Sequence, residues 1–415
     1  MTGALATTAM APAAPTSETA LCATLAAMAS DGAAVACQGS GTKRHHGPNA
    51  SGQARVISMR GLDSLTAYEP NDLVVTAQVG MRLTELQQHL KARNQWLPVD
   101  PPYADATLGG ILATNSAGPR RLGYGTIKDY ILGLRTASAA GVITKSGGRV
   151  VKNVTGYDLH RLHIGAFGTL GVLVEASLKV VPRPDVGGAV VMGFVDRAHA
   201  HQRLLEIAAS RLRPVALEIV DGAAAAALRR TRADLPAGET LAIVGVEGTR
   251  PVFDRHLRDL NLETLSPSAC AVLEGSAAEA LWTAVQDLRA PFSDAVVVRV
   301  GALPHALPAL LDQMALGRAG ALGVMAHVGT GIARVILPAD DLAATVAQLR
   351  APIAIAVAAG GYAVVESAPL GLPGRAHLPW RTAGSPTGDG ELSLDQRLRQ
   401  AWDPQRRLNP GRMAS

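Results

Sequence analysis

The chain has 415 residues, of which 48% are hydrophobic and 18% charged. That is enough apolar material for about two or three domains, and too little charge for a disordered chain. The formal net charge is +5, the basic residues are scattered and aromatics make up only 3%. Nucleic acid is therefore not expected as a partner, because both the basic footprint and the stacking surfaces are missing.

The first 16 residues are rich in Ala, Thr and Pro and lack the basic region of a secretory signal. They are expected to form a disordered lead-in. Ser17-Glu18 followed by Leu21, Leu25 and Met28 reads as a capped helix. Ala33–Ala36 is a short strand running into Gln38-Gly39-Ser40-Gly41-Thr42, a glycine-rich turn. Strands follow at Arg55–Met59 and Leu73–Val79, then a helix over Leu83–Arg93 with Leu83, Leu86 and Leu90 on one stripe. Leu97 to Pro102 is extended, since residues before proline avoid the helical region. Ala106 to Gly118 is a run of small and polar residues. Ile131–Ser138 and Val142–Thr144 read as a hairpin around Ala140-Gly141, and Leu170–Val181 as a long strand. Val181 to Asp185 breaks the pattern and marks a domain boundary.

In the second half, Ala189–Val195, Ala198–Arg211 and Ala216–Val220 read as strand, helix and strand. Further strands are predicted at Leu241–Val246, Ala295–Val300, Ala321–His327 and Ala333–Leu337. This alternation predicts a sheet covered on one face by helices. Residues 374–390 are rich in Pro, Gly and Ser and read as a flexible loop, and Ser393–Trp402 as a final helix. No run of about 18 apolar residues occurs, so no membrane span is predicted.

Several chemistries are excluded. There is no phosphate-binding GxxxxGK[ST] loop, no HExxH and no GxSxG. Gly39-Ser40-Gly41 lacks the third glycine of a Rossmann fingerprint and leads toward Pro48 rather than into a helix. Cys22, Cys37 and Cys270 are too scattered for a four-cysteine cluster or a disulfide scaffold, and no metal site is expected. Two glycine clusters remain, about 70 residues apart in one domain. Backbone N–H groups of such turns can face an anion, and missing side chains let a diphosphate approach. For either cluster alone, an ordinary turn is the competing reading.

Together the segments resemble a known family. Gln38 to Thr42, Asn71 to Val75, Ala106 to Gly110, Arg121 to Gly125, Val151 to Leu159 and Gly165 to Val172 are similar, in order, to the PCMH-type FAD-binding domain of the vanillyl-alcohol oxidase superfamily. The last two are the most specific, and the likeness covers residues 17–182. Within the superfamily the chain most resembles the glycolate oxidase and D-lactate dehydrogenase branch, in particular the FAD-binding subunits of bacterial glycolate oxidases. Trp402-Asp403-Pro404 and Leu408 to Arg412 resemble that branch's tail.

The resemblance implies an α+β fold. A PCMH-type domain of two α+β subdomains over 17–182 would be followed by a smaller α/β domain over 185–373, its antiparallel or mixed sheet covered by helices, and by a C-terminal helix and tail over 391–415. It implies non-covalent FAD. Gln38, Gly39, Ser40, Gly41 and Thr42 would hold the diphosphate. Thr107, Gly109, Gly110, Thr114, Asn115, Ser116 and Gly118 would line the diphosphate, ribityl chain and flavin ring, and Gly171 and Val172 the adenine end. Lys152, Tyr157 and Asp158 would sit near the flavin or its domain interface, Tyr157 and Asp158 alternatively as a packing tyrosine and a helix cap. Covalent attachment through His45 or His46 is the lesser reading, exposed loop histidines the preferred one.

One segment departs from the family. Where the branch carries His-x-Gly-Asp-Gly-Asn-x-His, this chain reads His327-Val328-Gly329-Thr330-Gly331-Ile332-Ala333-Arg334. An isolated histidine is a poor metal site, and His327 is expected to be a strand-end residue with one hydrogen bond. No catalytic residue is assigned. The implied role is an FAD-binding subunit of a complex oxidising glycolate to glyoxylate, beside a large FAD-binding subunit and a separate iron–sulfur subunit. The complex would be cytoplasmic, reaching the inner membrane only through partners. A self-sufficient FAD-dependent 2-hydroxy-acid or sugar oxidoreductase and a non-catalytic scaffold are the alternatives.

Overall fold

A computed structural model describes residues 11–48, 54–149, 156–260, 267–313, 321–339, 342–372, 375, 378–380 and 393–412. The loop expected at 374–390 falls almost wholly outside them, as do Val151 to Thr155.

The first half opens with the helix Glu18–Ser30. Ser17 Oγ accepts from the Ala20 amide at 3.1 Å, and Leu21, Leu25 and Met28 are buried. This is the usual way a serine supplies a partner to an orphan N–H at a helix start. β1 (Val35–Gln38) pairs in parallel with β2 (Arg55–Ser58). Ala13 adds a parallel bridge to Ile57, so this part of the expected lead-in is held by backbone pairing. β3 (Leu65–Glu69), β4 (Val74–Gln78), β6 (Ile131–Ala137), β7 (Ile143–Gly147) and β8 (Val172–Lys179) form a five-stranded sheet in the order β3-β4-β8-β6-β7. The short strands β5 (Gln95–Trp96) and β9 (Val181–Pro182) pair beside it. The helix Leu83–Lys91 adds Leu86 and Leu90 to the core that holds Val75, Ala77, Val174 and Ala176.

The second half is one eight-stranded sheet whose paired strands are all antiparallel. Its strands are β10 (Val186–Phe194), β11 (Ala216–Asp221), β12 (Thr240–Gly248), β13 (Ala269–Glu274), β14 (Ala295–Gly301), β15 (Gly323–His327), β16 (Ile332–Pro338) and β17 (Tyr362–Ser367), in the order β13-β10-β12-β11-β15-β16-β14-β17. The expectation of helices on one face is corrected. Alternate residues of β10 enter two separate cores: Val190 and Met192 pack with helices Arg197–Ala209 and Arg250–Asp259, whereas Ala189 and Val191 pack with helices Gly222–Thr231 and Gly275–Gln286. The physical reason is visible in the strands, whose central residues are buried in unbroken runs rather than alternately.

The halves meet around a buried ion pair. Arg120 Nε lies 2.6 Å from Glu247 Oε1, the Tyr124 hydroxyl donates to Glu247 Oε2 at 2.7 Å, and Gly123 packs directly on Val215. The Arg120 guanidinium also sits 5.7 Å from the Trp96 ring and 5.4 Å from that of Trp282. Among the described residues, no helix is long and apolar enough to cross a membrane.

Removing one member of a buried pair strands the other. Arg120→Met is therefore expected to cost about 3–5 kcal/mol in urea unfolding, and the double variant Arg120→Met/Glu247→Leu less than that single change. A single variant as stable as the parent would show that the pair does not hold the halves together.

Candidate functional site

The two glycine clusters meet. β1 delivers Gln38 to a turn in which Gly41 has φ +79, a conformation that favours glycine. A Cβ on Gly39 would lie 2.2 Å from Thr107 Oγ1, so the backbone of the first cluster rests on the first residue of the second. The second cluster is not the irregular glycine turn the sequence suggests. Leu108–Thr114 is a helix, capped by Thr107, whose hydroxyl accepts from the Gly110 amide at 3.3 Å. Its two glycines are tolerated because Leu108, Ile111 and Leu112 anchor it in the core, and Gly109 lets it approach Val79.

Between the clusters lies a cavity of about 500 Å³. Gln38, Gly39, Ser40, Gly41, Thr42, Thr107, Gly109, Gly110, Thr114, Gly171 and Val172 all line it. Asn115, Ser116 and Gly118 do not. Asn115 ends the helix with φ 47, and Ser116 is buried behind it, its amide donating to Ile111 O. Gly118 is glycine because a Cβ there would lie 2.0 Å from the Asp100 carbonyl oxygen. The Asp100 carboxylate accepts from the amides of Gly118 at 3.1 Å and Arg120 at 2.9 Å. Burial raises its pKa to about 6, against the pull of Arg120.

The lining contains Lys43, Arg44 and Arg412 and, among the described residues, no carboxylate. Lys43 is buried, its Nζ donating to Pro102 O at 2.9 Å and standing 4.6 Å from the centre of the Tyr103 ring. Burial, then the nearby Arg289 guanidinium, pushes its pKa well down. Arg60 steadies the Ser40 hydroxyl at 3.0 Å. A cavity of this size suits a cofactor, and a cationic, glycine-rich lining suits its diphosphate. A second hollow of about 650 Å³ does not: Asp196, Asp221, Glu239 and Asp312 line it, and its Arg197 already pairs with Asp221 and Asp312.

Beside the cavity runs a buried polar chain. Arg289 lies 2.5 Å and Arg334 2.9 Å from the Glu366 carboxylate. Burial opposes its ionisation, but these guanidiniums hold Glu366 well below the usual carboxylate range. Arg334 also donates to His327 Nε2, and His327 Nδ1 meets Glu218 at 2.7 Å. Arginine can only donate, so Nε2 accepts and the proton of neutral His327 sits on Nδ1. Burial, reinforced by Arg334, pushes His327 well down, and burial pushes Glu218 well up. The expectation of one hydrogen bond at His327 is corrected to two.

Reading His45 and His46 as exposed is also corrected. His46 is buried, its Nδ1 lies 3.9 Å from Glu366, and its Nε2 has no partner. His45 bonds the Tyr103 hydroxyl at 2.8 Å, and burial lowers its pKa to about 4. Their loop is held against the second half by Arg375, which donates to the carbonyls of His45 and Gly47, and by the bridge between His46 and Ser367. Tyr157 is not a packing residue: it is 88% exposed. Asp158 pairs with Arg161 at 3.5 Å without a side-chain cap, and Lys152 lies outside the described residues. Lys43 and Arg44 stand together in the basic run Lys43-Arg44-His45-His46, a local sequence signal; Arg412 has none beyond its place in the tail motif.

The FAD binding domain family matches residues 10–147, and the C-terminal domain family of FAD linked oxidases matches residues 183–331, together more than half of the chain. The chain belongs to the FAD-linked oxidases. FAD is the cofactor of that family, and the cavity fits it. This FAD-linked oxidase is 43% identical to glycolate oxidase subunit GlcE of Escherichia coli over 157 residues, 37% of this chain and 44% of that protein. It is 32% identical to glycolate oxidase subunit GlcD of Bacillus subtilis over 185 residues, 44% of this chain and 39% of that protein. The chain thus spans less than half the length of either. A longer match, 29% over 399 residues, covers 89% of this chain and 84% of the uncharacterized FAD-linked oxidoreductase Rv2280 of Mycobacterium tuberculosis. The fold is shared with alkyldihydroxyacetonephosphate synthase at a TM-score of 0.65 and 19% identity, over 96% of this chain and 76% of that one.

A Cβ on Gly110 would meet nothing closer than Thr107 Oγ1 at 3.4 Å. Gly110→Val is therefore expected to fold with stability within about 1 kcal/mol of the parent yet to lose its yellow colour on gel filtration. Full FAD retention would displace the cofactor from this cavity. Asp100 has a folded pKa of about 6 against an ordinary 3.8. Its contribution is thus greatest below about pH 4 and is lost as the pH rises through about 6. Asp100→Asn is expected to flatten that slope in urea unfolding between pH 4 and 6; an unchanged slope would assign it to other groups.

Proposed function

We propose that this chain is the FAD-binding subunit of a complex oxidising a small 2-hydroxy acid, glycolate, to glyoxylate. The observation that carries the reading is the cavity where Gly39 meets Thr107, lined by three basic side chains and, among the described residues, no acid. The similarity to glycolate oxidase subunits points to the same reaction class. Gln38 to Thr42 would hold the diphosphate. Thr107, Gly109, Gly110 and Thr114 would lie along the ribityl chain and ring, and Gly171 and Val172 at the adenine end. Asn115, Ser116 and Gly118 shape the helix end behind them. FAD supplies the two-electron acceptor for the alcohol oxidation. We read attachment as non-covalent, because no histidine is among the described residues that line the cavity.

The division of labour follows from charge. Arg289 and Arg334 are already paired with Glu366, and His327 with Glu218 and Arg334. Those two arginines are therefore not free for a substrate carboxylate, and we assign catalysis to a larger flavin subunit. Three separated cysteines supply no cluster ligands, so electrons would leave through an iron–sulfur partner. We place the complex in the cytoplasm, reaching the inner membrane through its partners.

The test is the spectrum of the purified chain near 450 nm, followed by anaerobic glycolate. A yellow protein that stays oxidised is expected. Rapid bleaching would make it a self-sufficient oxidoreductase, and a colourless protein that takes up no added FAD a scaffold.

A further inference from the structure

The tail enters the site from far away in sequence. Leu408 forms a parallel bridge with Val35, and the amide of Asn409 donates to Val35 O at 2.7 Å. Arg407 fixes the same stretch through the Ala33 carbonyl at 2.9 Å. The Asn409 side chain then spans the cavity's two walls: Oδ1 accepts from the Cys37 amide at 3.1 Å, and Nδ2 donates to Gly168 O at 2.9 Å. Both Asn409 and Arg412 line the cavity.

Two features where the tail docks are costly unless something else compensates. Phe167, against which the tail packs, has φ 52, a left-handed conformation uncommon for a bulky residue, and Asn409 has φ 43, which asparagine adopts more readily. Arg412 is half-buried, its guanidinium 5.1 Å from the Phe167 ring. It donates to the carbonyls of Lys43 at 3.2 Å, Arg44 at 3.1 Å and Pro48 at 3.1 Å, and pairs with no carboxylate among the described residues. Burial, then the charges of Arg375 and Arg44, lowers its pKa to about 10. A half-buried guanidinium at the cavity wall, bonded among the described residues only to carbonyls and with cations as its charged neighbours, suits an anion beside it.

We propose that Leu408–Arg412 is a built part of the cofactor cradle, with Arg412 the counter-charge for the anionic stretch of FAD and Asn409 the bolt joining the cradle's walls. This rests on the reading that FAD occupies the cavity. Tail docking and FAD binding are then linked, each strengthening the other.

The test titrates FAD into the full-length apoprotein. Arg412→Gln is expected to weaken binding about tenfold or more and to flatten its dependence on salt, as loss of a charge-assisted contact does. Arg412→Lys keeps the charge while losing most of the carbonyl bonds, and is expected to stay within about threefold of the parent. A merely structural arginine would show the two variants equally damaged, and that result overturns the proposal. So does Arg412→Gln binding within about twofold of the parent. If Arg412→Gln does not fold, hydrogen exchange of residues 403–412 in the parent decides: FAD must slow it, and an unchanged rate overturns the proposal. A parent protein that binds no FAD at all instead overturns the cofactor reading itself.

Discussion

The contact on which the site depends is the approach of Gly39 to Thr107. No side chain fits between them, since even a Cβ would sit 2.2 Å from the threonine oxygen. Each partner is fixed by an unrelated piece of core. β1 is held by β2 on one edge and by Leu408 at its start. The helix Leu108–Thr114 is held by its own apolar stripe and by Gly109 against Val79. Hydrophobic burial thus places two polar backbones face to face, and the space left over is the cavity. Neither cluster makes a site by itself.

Charge divides the neighbourhood in two. On the cavity side, Lys43 and Arg412 donate to backbone carbonyls and face aromatic rings, with Arg289 near the first and Arg375 and Arg44 near the second. Across the domain boundary, Glu218, His327, Arg334, Glu366 and Arg289 satisfy one another. A low-dielectric interior makes both arrangements consequential. The cavity's basic side chains meet backbone carbonyls, whereas Arg289 and Arg334 meet a carboxylate. A lining of donors that meet backbone carbonyls suits the diphosphate of a dinucleotide.

What the sequence made legible follows the range of the forces involved. Gln38 to Thr42 could be read because a glycine turn is a local signal. The helical stripes at Leu21, Leu25 and Met28 and at Leu83, Leu86 and Leu90 were equally local. Gly118 was misplaced because a glycine looks the same whether a ligand or another backbone comes close, and here it is the Asp100 carbonyl. Leu108–Thr114 was hidden because two adjacent glycines lower helix propensity, and only tertiary packing restores it. His46 looked exposed because nothing near it in sequence announces Glu366 or Ser367, which cover it. The second face of helices was present in the unbroken apolar strands but outweighed by the alternation of elements.

The loop from Lys43 to Pro48 shows why such residues escape local reading. Its carbonyls are the common target of distant donors: Ala368 N and Arg375 reach His45, Arg375 reaches Gly47, and Arg412 reaches Lys43, Arg44 and Pro48. In return the Gly47 amide donates to Glu366 O at 3.1 Å. The loop is therefore shaped by the end of β17, by the segment after it and by the tail, all more than three hundred residues downstream. Because the cavity wall and the interdomain polar chain share this loop, a change that frees it disturbs both. The second domain and the tail are in this sense structural parents of a site whose glycines all lie in the first half.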